Sequence, residues 1–135
     1  MSLKISFESR GSYLYVSAEG QFDLDTAKQH FLEIIEAVVK HNLDKILFDY
    51  RMVEGIEKMT TIERFNYAEY CVQNLNKAMN DGKVPPLRLV YLSKLVRKED
   101  RFSETVAVNR GISVIALDNI EEALEWLGVN QAGKN

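Results

Sequence analysis

The sequence predicts an α/β domain in which a mixed five-stranded sheet carries four helices, in the order β-β-α-β-α-β-α-β-α. Three observations lead there. Ile46-Leu47-Phe48 is a short unbroken apolar run of the kind buried on both faces of a sheet, and Asp49-Tyr50-Arg51 turns polar where such a strand would emerge. Two helical patterns, one from about Asp25 to Asn42 and one starting at Thr60, flank that run. Ahead of them, residues 3–7 and 13–17 alternate apolar and polar about a turn at Arg10-Gly11-Ser12, which is the pattern of an opening hairpin.

In the first helix Ala27, Phe31, Ile34, Ile35, Val38 and Val39 fall on one face, with Asp23 or Asp25 available as its N-cap. Asn42-Leu43-Asp44 closes it and delivers the chain to the buried strand at Lys45. A loop from Arg51 to Met59, containing Gly55, leads to Thr60 and Glu63, which have the spacing of a capping box. The second helix carries Phe65, Ala68, Val72, Leu75 and Met79 inward and ends near Asp81-Gly82, before Pro85-Pro86 forbids continuation. Leu87 to Leu92 is the next strand, followed by a charged connector from Lys94 to Asp100. Phe102, Val106 and Val108 suggest a short helix stopped by Gly111, and Ile112 to Leu117 forms the last strand. Asp118 and Glu121 repeat the capping-box spacing for a final helix with Ala123, Leu124 and Leu127 inside. One domain over residues 1–130 and a fraying tail over 131–135 are expected. Strands that follow helices should be parallel, because each helical crossover returns the chain in the same direction.

The totals narrow the function classes. With 46% apolar and 27% charged residues in 135, the chain has the composition of a soluble globule. No apolar run approaches the roughly 20 residues needed to span a bilayer, and the N-terminus lacks a signal-peptide pattern. A cytoplasmic protein without an integral membrane segment is therefore expected. A formal charge of −3 gives nucleic acid no general attraction to the surface. The lone Cys71 excludes an internal disulfide and reads as a small core hydrophobe.

Open α/β sheets receive ligands and partners beyond the carboxyl ends of their parallel strands, so Asp49 to Gly55 should border any site. Lys94, Arg97, Lys98 and Arg101 follow the next strand and share that rim with Arg51, which suits an anionic ligand or an acidic partner. Glu99 and Asp100 interrupt the cluster, which makes a solvated loop with local ion pairs the simpler explanation of it. Tyr67, Tyr70 and Cys71 lie off the main apolar stripe of the second helix; they mark either a dimer or partner surface or the sheet-side shoulder of the core. His30 and His41 are eleven residues apart, too far to share a metal ion. Asp49, Glu54, Glu57 and Glu63 have no metal-binding spacing, no glycine-rich phosphate loop follows a strand, and Ser93 has no nucleophile-elbow context or histidine base. No catalytic residue, metal or cofactor is expected.

Gly20-Gln21-Phe22-Asp23-Leu24 running into a helix, followed by the ILFDY strand, resembles STAS domains of the anti-sigma-factor antagonist type. Ala107-Val108-Asn109-Arg110-Gly111 before a strand, and Glu122-Ala123-Leu124-Glu125-Trp126-Leu127 after it, are similar to the uncharacterised bacterial branch described as SpoIIAA-like. The resemblance spans nearly the whole chain. It implies a single-domain STAS fold and a small non-enzymatic module that binds a protein partner, with a serine after the third strand phosphorylated in the antagonists. Here that stretch is Asp49-Tyr50-Arg51-Met52-Val53-Glu54-Gly55, which has no hydroxyl except the tyrosine's, so the phospho-switch does not carry over. Thr60 and Thr61 lie at a helix start that would stabilise a phosphate, although capping alone accounts for them. The superfold group also includes CRAL-TRIO-like lipid-transfer domains, which leaves a carrier of a small apolar or anionic ligand as the alternative. Arg51, Glu54, Gly55, Thr60, Thr61, Lys94, Arg97 and Arg101 are the candidate binding residues, and a homodimer through Tyr67 and Tyr70 is a further possibility.

Overall fold

Five strands lie side by side in the order in which they occur in the chain, β1-β2-β3-β4-β5. The structure is a computed structural model that describes residues 3–94, 105, 108 and 112–129. Along the chain come β1 (Lys4–Ser9), β2 (Leu14–Gln21), α1 (Leu24–His41), β3 (Lys45–Glu54), a 3-10 turn (Ile56–Lys58), α2 (Thr61–Asn80), β4 (Arg88–Leu92), β5 (Ser113–Leu117) and α3 (Ile120–Leu127). The hairpin pair β1 and β2 is antiparallel and every other neighbouring pair is parallel, so the sheet is mixed as expected. The described residues hold three α-helices, not four. The short helix expected over Phe102 to Val108 lies outside the described residues apart from Thr105 and Val108, both helical. The tail 131–135 is likewise outside them.

The alternation of strand side chains divides the interior in two. Ile46 and Phe48 of β3 point with Leu14, Val16 and Leu89 toward α1 and α2, where Phe31, Ile34, Val72 and Leu75 meet them. Leu47, Val90 and Leu92 point the other way and are covered by Ala123 and Leu127 of α3. This is why Ile46-Leu47-Phe48 is apolar without interruption: helices close both faces of the central strand, and all three residues are fully buried.

Helix ends follow local chemistry. Asp23 caps α1, accepting from the Thr26 N–H at 2.9 Å, and Asn42 ends it in the left-handed region at φ 56°. The expected capping box at Thr60 and Glu63 is present in both directions, at 3.1 and 2.9 Å. At α3 the cap is Asn119 rather than Asp118: its extended backbone lets its side chain accept from Glu122 N–H at 3.0 Å. The expected faces largely hold, with Ala27, Phe31, Ile34 and Val38 of α1 and Val72 and Leu75 of α2 buried, but each has exceptions at its margin. In α1 Ala37 is buried while Val39 is 38% exposed, and in α2 the buried set is Arg64, Cys71, Val72, Leu75 and Ala78.

β3 departs most from expectation. It does not leave the sheet at Asp49 but runs on to Glu54, with Tyr50 and Val53 buried. Pairing with β2 slips on the way: Ser17 faces Asp49, yet Glu19 faces Met52, so β3 fits one extra residue at Tyr50-Arg51. The mouth of the strand therefore begins at Gly55, and the polar residues read as loop belong to a bulged strand.

Candidate functional site

The bulge is held by one buried carboxylate. Asp49, only 7% exposed, accepts from Tyr15 Oη at 2.6 Å, Arg51 Nη2 at 2.7 Å, Arg51 Nε at 2.8 Å and the Arg51 backbone N–H at 3.2 Å. Burial works against the charged form of Asp49, but the donors on Arg51 and Tyr15 outweigh it and hold its pKa below the ordinary carboxylate value. Burial and the bond to Asp49 move the Tyr15 hydroxyl the opposite way, upward. The Arg10 guanidinium lies 3.8 Å above the Tyr15 ring and also meets Glu8 at 3.1 Å. Arg51 is thus engaged within the chain. Its guanidinium is partnered by Asp49 in a bidentate pair, which sets the strand end rather than standing ready for an anion.

Beyond the bulge the chain turns tightly. Phe22 N–H donates to the Glu54 carbonyl at 2.7 Å, tying the end of β2 to that of β3, and Gly55 accepts from Lys58 N–H at 3.1 Å to open the 3-10 turn. Gly55 stands at φ 90°, and a Cβ built on it would lie 2.0 Å from Gln21 Nε2. Replacing Gly55 with Ala should destabilise the protein by about 1–2 kcal/mol, chiefly through the backbone strain. Urea denaturation checks this, and adding Gln21→Ala should recover only the part due to the clash.

Glu54 and Thr61 are exposed on this rim, and Thr60 is also exposed although its side chain is committed to the cap. Lys94, past the end of β4, is exposed as well, whereas Arg97, Lys98 and Arg101 lie outside the described residues. The structure adds two residues the sequence reading passed over. Met52 and Ile62, 67% and 72% exposed, are the most exposed large apolar side chains among the described residues, and both belong to this end of the fold. Ile62 could have been noticed because it falls off the Val72 and Leu75 stripe. Met52 could not, because its outward direction depends on the bulge.

The tyrosines of α2 face the chain's own interior. Tyr70 Oη donates to the Lys28 carbonyl of α1 at 3.3 Å, with Lys28 Nζ 5.3 Å from its ring centre. Tyr67 packs edge-on against Phe22, ring centres 6.3 Å apart, on the shoulder of the core. Cys71 is buried, and burial pushes its thiol up to about 12, so it stays protonated at neutral pH.

Tyr67 also helps wall a cavity of about 130 Å3 between α2 and the sheet, together with Tyr50, Tyr91, Phe22, Ile56 and Cys71. Its hydroxyl oxygen is shut off from water and makes no hydrogen bond of ordinary geometry among the described residues; the Tyr50 hydroxyl and the Cys71 thiol interact with it only loosely. Burial keeps the Tyr67 and Tyr91 hydroxyls protonated far above neutral pH, and it does the same for Tyr50. Arg64, on the rim side of the wall, donates through Nη2 to the Ile56 carbonyl at 2.8 Å. Elsewhere His30 meets Glu33 at 2.8 Å and His41 is exposed at the end of α1. Among the described residues no group of three potential metal ligands converges, and no helix is long and apolar enough to cross a membrane.

No family model matches the sequence, and no curated protein matches it. Solved structures do match its fold. The chain superposes on the anti-sigma factor antagonist SpoIIAA in its unphosphorylated form with a TM-score of 0.56 and 12% identity, over 96% of this chain and 100% of that one. An anti-sigma factor antagonist from Mycobacterium paratuberculosis matches with a TM-score of 0.53 and 17% identity, over 94% and 95%. An uncharacterised protein of the DUF3478 family with a SpoIIAA-like fold, from Shewanella loihica PV-4, matches with a TM-score of 0.52 and 13% identity, over 93% of each chain. The chain has the SpoIIAA-like fold.

Proposed function

We propose that this chain is a non-catalytic regulatory module that binds a protein partner through the rim formed by the end of β3, the Gly55 turn and the start of α2. One observation carries the reading: Met52 and Ile62 stand bare on that rim, beside exposed Glu54 and a turn held rigidly from within. Apolar side chains in water beside a preorganised turn are the ingredients of a binding hot spot. The fold likeness to anti-sigma factor antagonists, proteins named for acting on other proteins, supports it. From Asp49 to Gly55 the only hydroxyl is that of buried Tyr50. Thr60 is the nearest hydroxyl on α2's approach, and it serves as the cap, so recognition rests on shape and charge. Lys94, exposed past the end of β4, would extend the same surface toward an acidic partner, and a cytoplasmic setting fits this role.

The test uses wild type and a Met52→Ser, Ile62→Ser double variant as baits in native lysate. Because both residues are exposed, the variant should keep the wild-type urea midpoint yet recover at least about tenfold less of the specific partner, as loss of a hot spot worth about 2 kcal/mol implies. Glu54→Ala, which leaves the Asp49–Arg51 pair intact, should weaken recovery as well. Equal recovery of every partner by the Met52, Ile62 variant would sink the assignment of this rim. The cavity favours a second reading, that the chain binds a small, largely apolar ligand between α2 and the sheet.

A further inference from the structure

The size and the chemistry of the cavity narrow what could fill it. At about 130 Å3 it is close to the roughly 150 Å3 of an engineered apolar cavity that admits benzene, and below the roughly 300 Å3 at which drug-sized pockets begin. A lipid chain with its headgroup is too large. One aromatic ring with a short substituent fits. The wall is largely aromatic and aliphatic, with Phe22, Tyr50, Ile56 and Tyr91 supplying flat or branched surface; its one charged side chain among the described residues is Arg64, whose Nη2 is engaged by the Ile56 carbonyl at 2.8 Å. Against that apolar lining stands the hydroxyl of Tyr67, buried and without a hydrogen bond among the described residues. A buried donor left in that state is costly, and a ligand oxygen placed against it would relieve the cost. The neighbouring thiol and phenols are uncharged at neutral pH, so the donor at that position is a neutral O–H.

We propose that this cavity is a binding site for a neutral molecule the size of one aromatic ring that carries a single hydrogen-bond acceptor, such as an aryl ketone, with the acceptor seated on Tyr67 Oη. The inference rests on the second reading above, that the cavity holds a ligand at all, and adds the ligand's size, charge and polarity.

Three probes of nearly equal size separate these points in ligand-observed NMR titrations of the full chain: acetophenone, ethylbenzene and benzoate. Acetophenone should bind about tenfold more tightly than ethylbenzene, the scale of one recovered buried hydrogen bond. Tyr67→Phe should remove that preference while leaving ethylbenzene affinity unchanged, since the ring and the space remain. Ala68→Leu, which adds bulk to the wall, should abolish binding of both. Thermal melts accompany each variant, and Tyr67→Phe should melt no lower than wild type because it deletes an unsatisfied group. Absence of binding by all three probes would end the ligand reading itself. Ethylbenzene binding as tightly as acetophenone, or a preference that survives Tyr67→Phe, would overturn the role of the hydroxyl and leave the ligand reading standing. Tightest binding by benzoate would overturn the neutral class.

Discussion

Replacing Phe48 with Ala is expected to destabilise the protein by about 4 kcal/mol, a large share of the roughly 5–15 kcal/mol that holds an ordinary domain together. Phe48 is fully buried at the centre of the sheet and sits among three other rings. Its plane stacks on Tyr91 with centres 4.5 Å apart and on Phe31 at 6.3 Å, and Tyr50 meets it edge-on at 6.1 Å. Removing it leaves a void bounded by rigid side chains from both β strands and α1, which cannot close over it. Urea denaturation followed by circular dichroism measures the loss. Val39→Ala is the contrast, because periodicity placed both residues in the core while the structure exposes Val39; it should cost less than about 1 kcal/mol. Equal losses for the two would contradict the observed exposure of Val39.

Replacing Asp49 with Ala is expected to cost about 2–3 kcal/mol at neutral pH, from the low end of the range for breaking a buried pair. The low end applies because Arg51 is partly exposed and its guanidinium can regain water, whereas Tyr15 and the Arg51 N–H lose their acceptor at the bulge. The pH dependence has a defined sign. The folded-state pKa of Asp49 is lowered from 3.8, first against the opposing effect of burial and then by the donors of Arg51 and Tyr15. Its contribution is therefore complete above the unfolded-state value and disappears as the pH falls through the lower, folded-state value. Denaturation across a pH series should show a constant gap between wild type and Asp49→Ala near neutrality, narrowing below about pH 4. A gap that widened with acid would refute the arrangement.

Much of the fold could be read from local pattern because local pattern causes it. The run Ile46-Leu47-Phe48 is apolar on successive residues since helices cover both faces, and Thr60 with Glu63 announces the start of α2 because the same two side chains satisfy its first amides. Other features escaped for equally physical reasons. Asp49 and Tyr50 looked like a strand's exit because polar residues usually mean water; Asp49 is partnered by Tyr15 of β2 and by Arg51 at the bulge, and Tyr50 is covered by Tyr91 of β4 and by α2, which no short-range spacing shows. The Tyr67 hydroxyl and the cavity beside it arise where α2 meets β4 and β5, residues far apart along the chain. Gly55 was singled out from sequence as a turn residue, but its close approach to Gln21 required the paired ends of β2 and β3.

The sheet's margin has its own consequence. β1 is the first strand of the order and has no strand on its outer side among the described residues, which leaves it an edge strand. A bare margin of this kind invites a strand from another molecule to zip onto it. Lys4 and Glu8 on β1, and Arg10 just past its end paired to Glu8, place charge along that border. An incoming strand would have to strip water from all three. A charged border of this kind disfavours the edge-to-edge stacking of crowded copies of the protein.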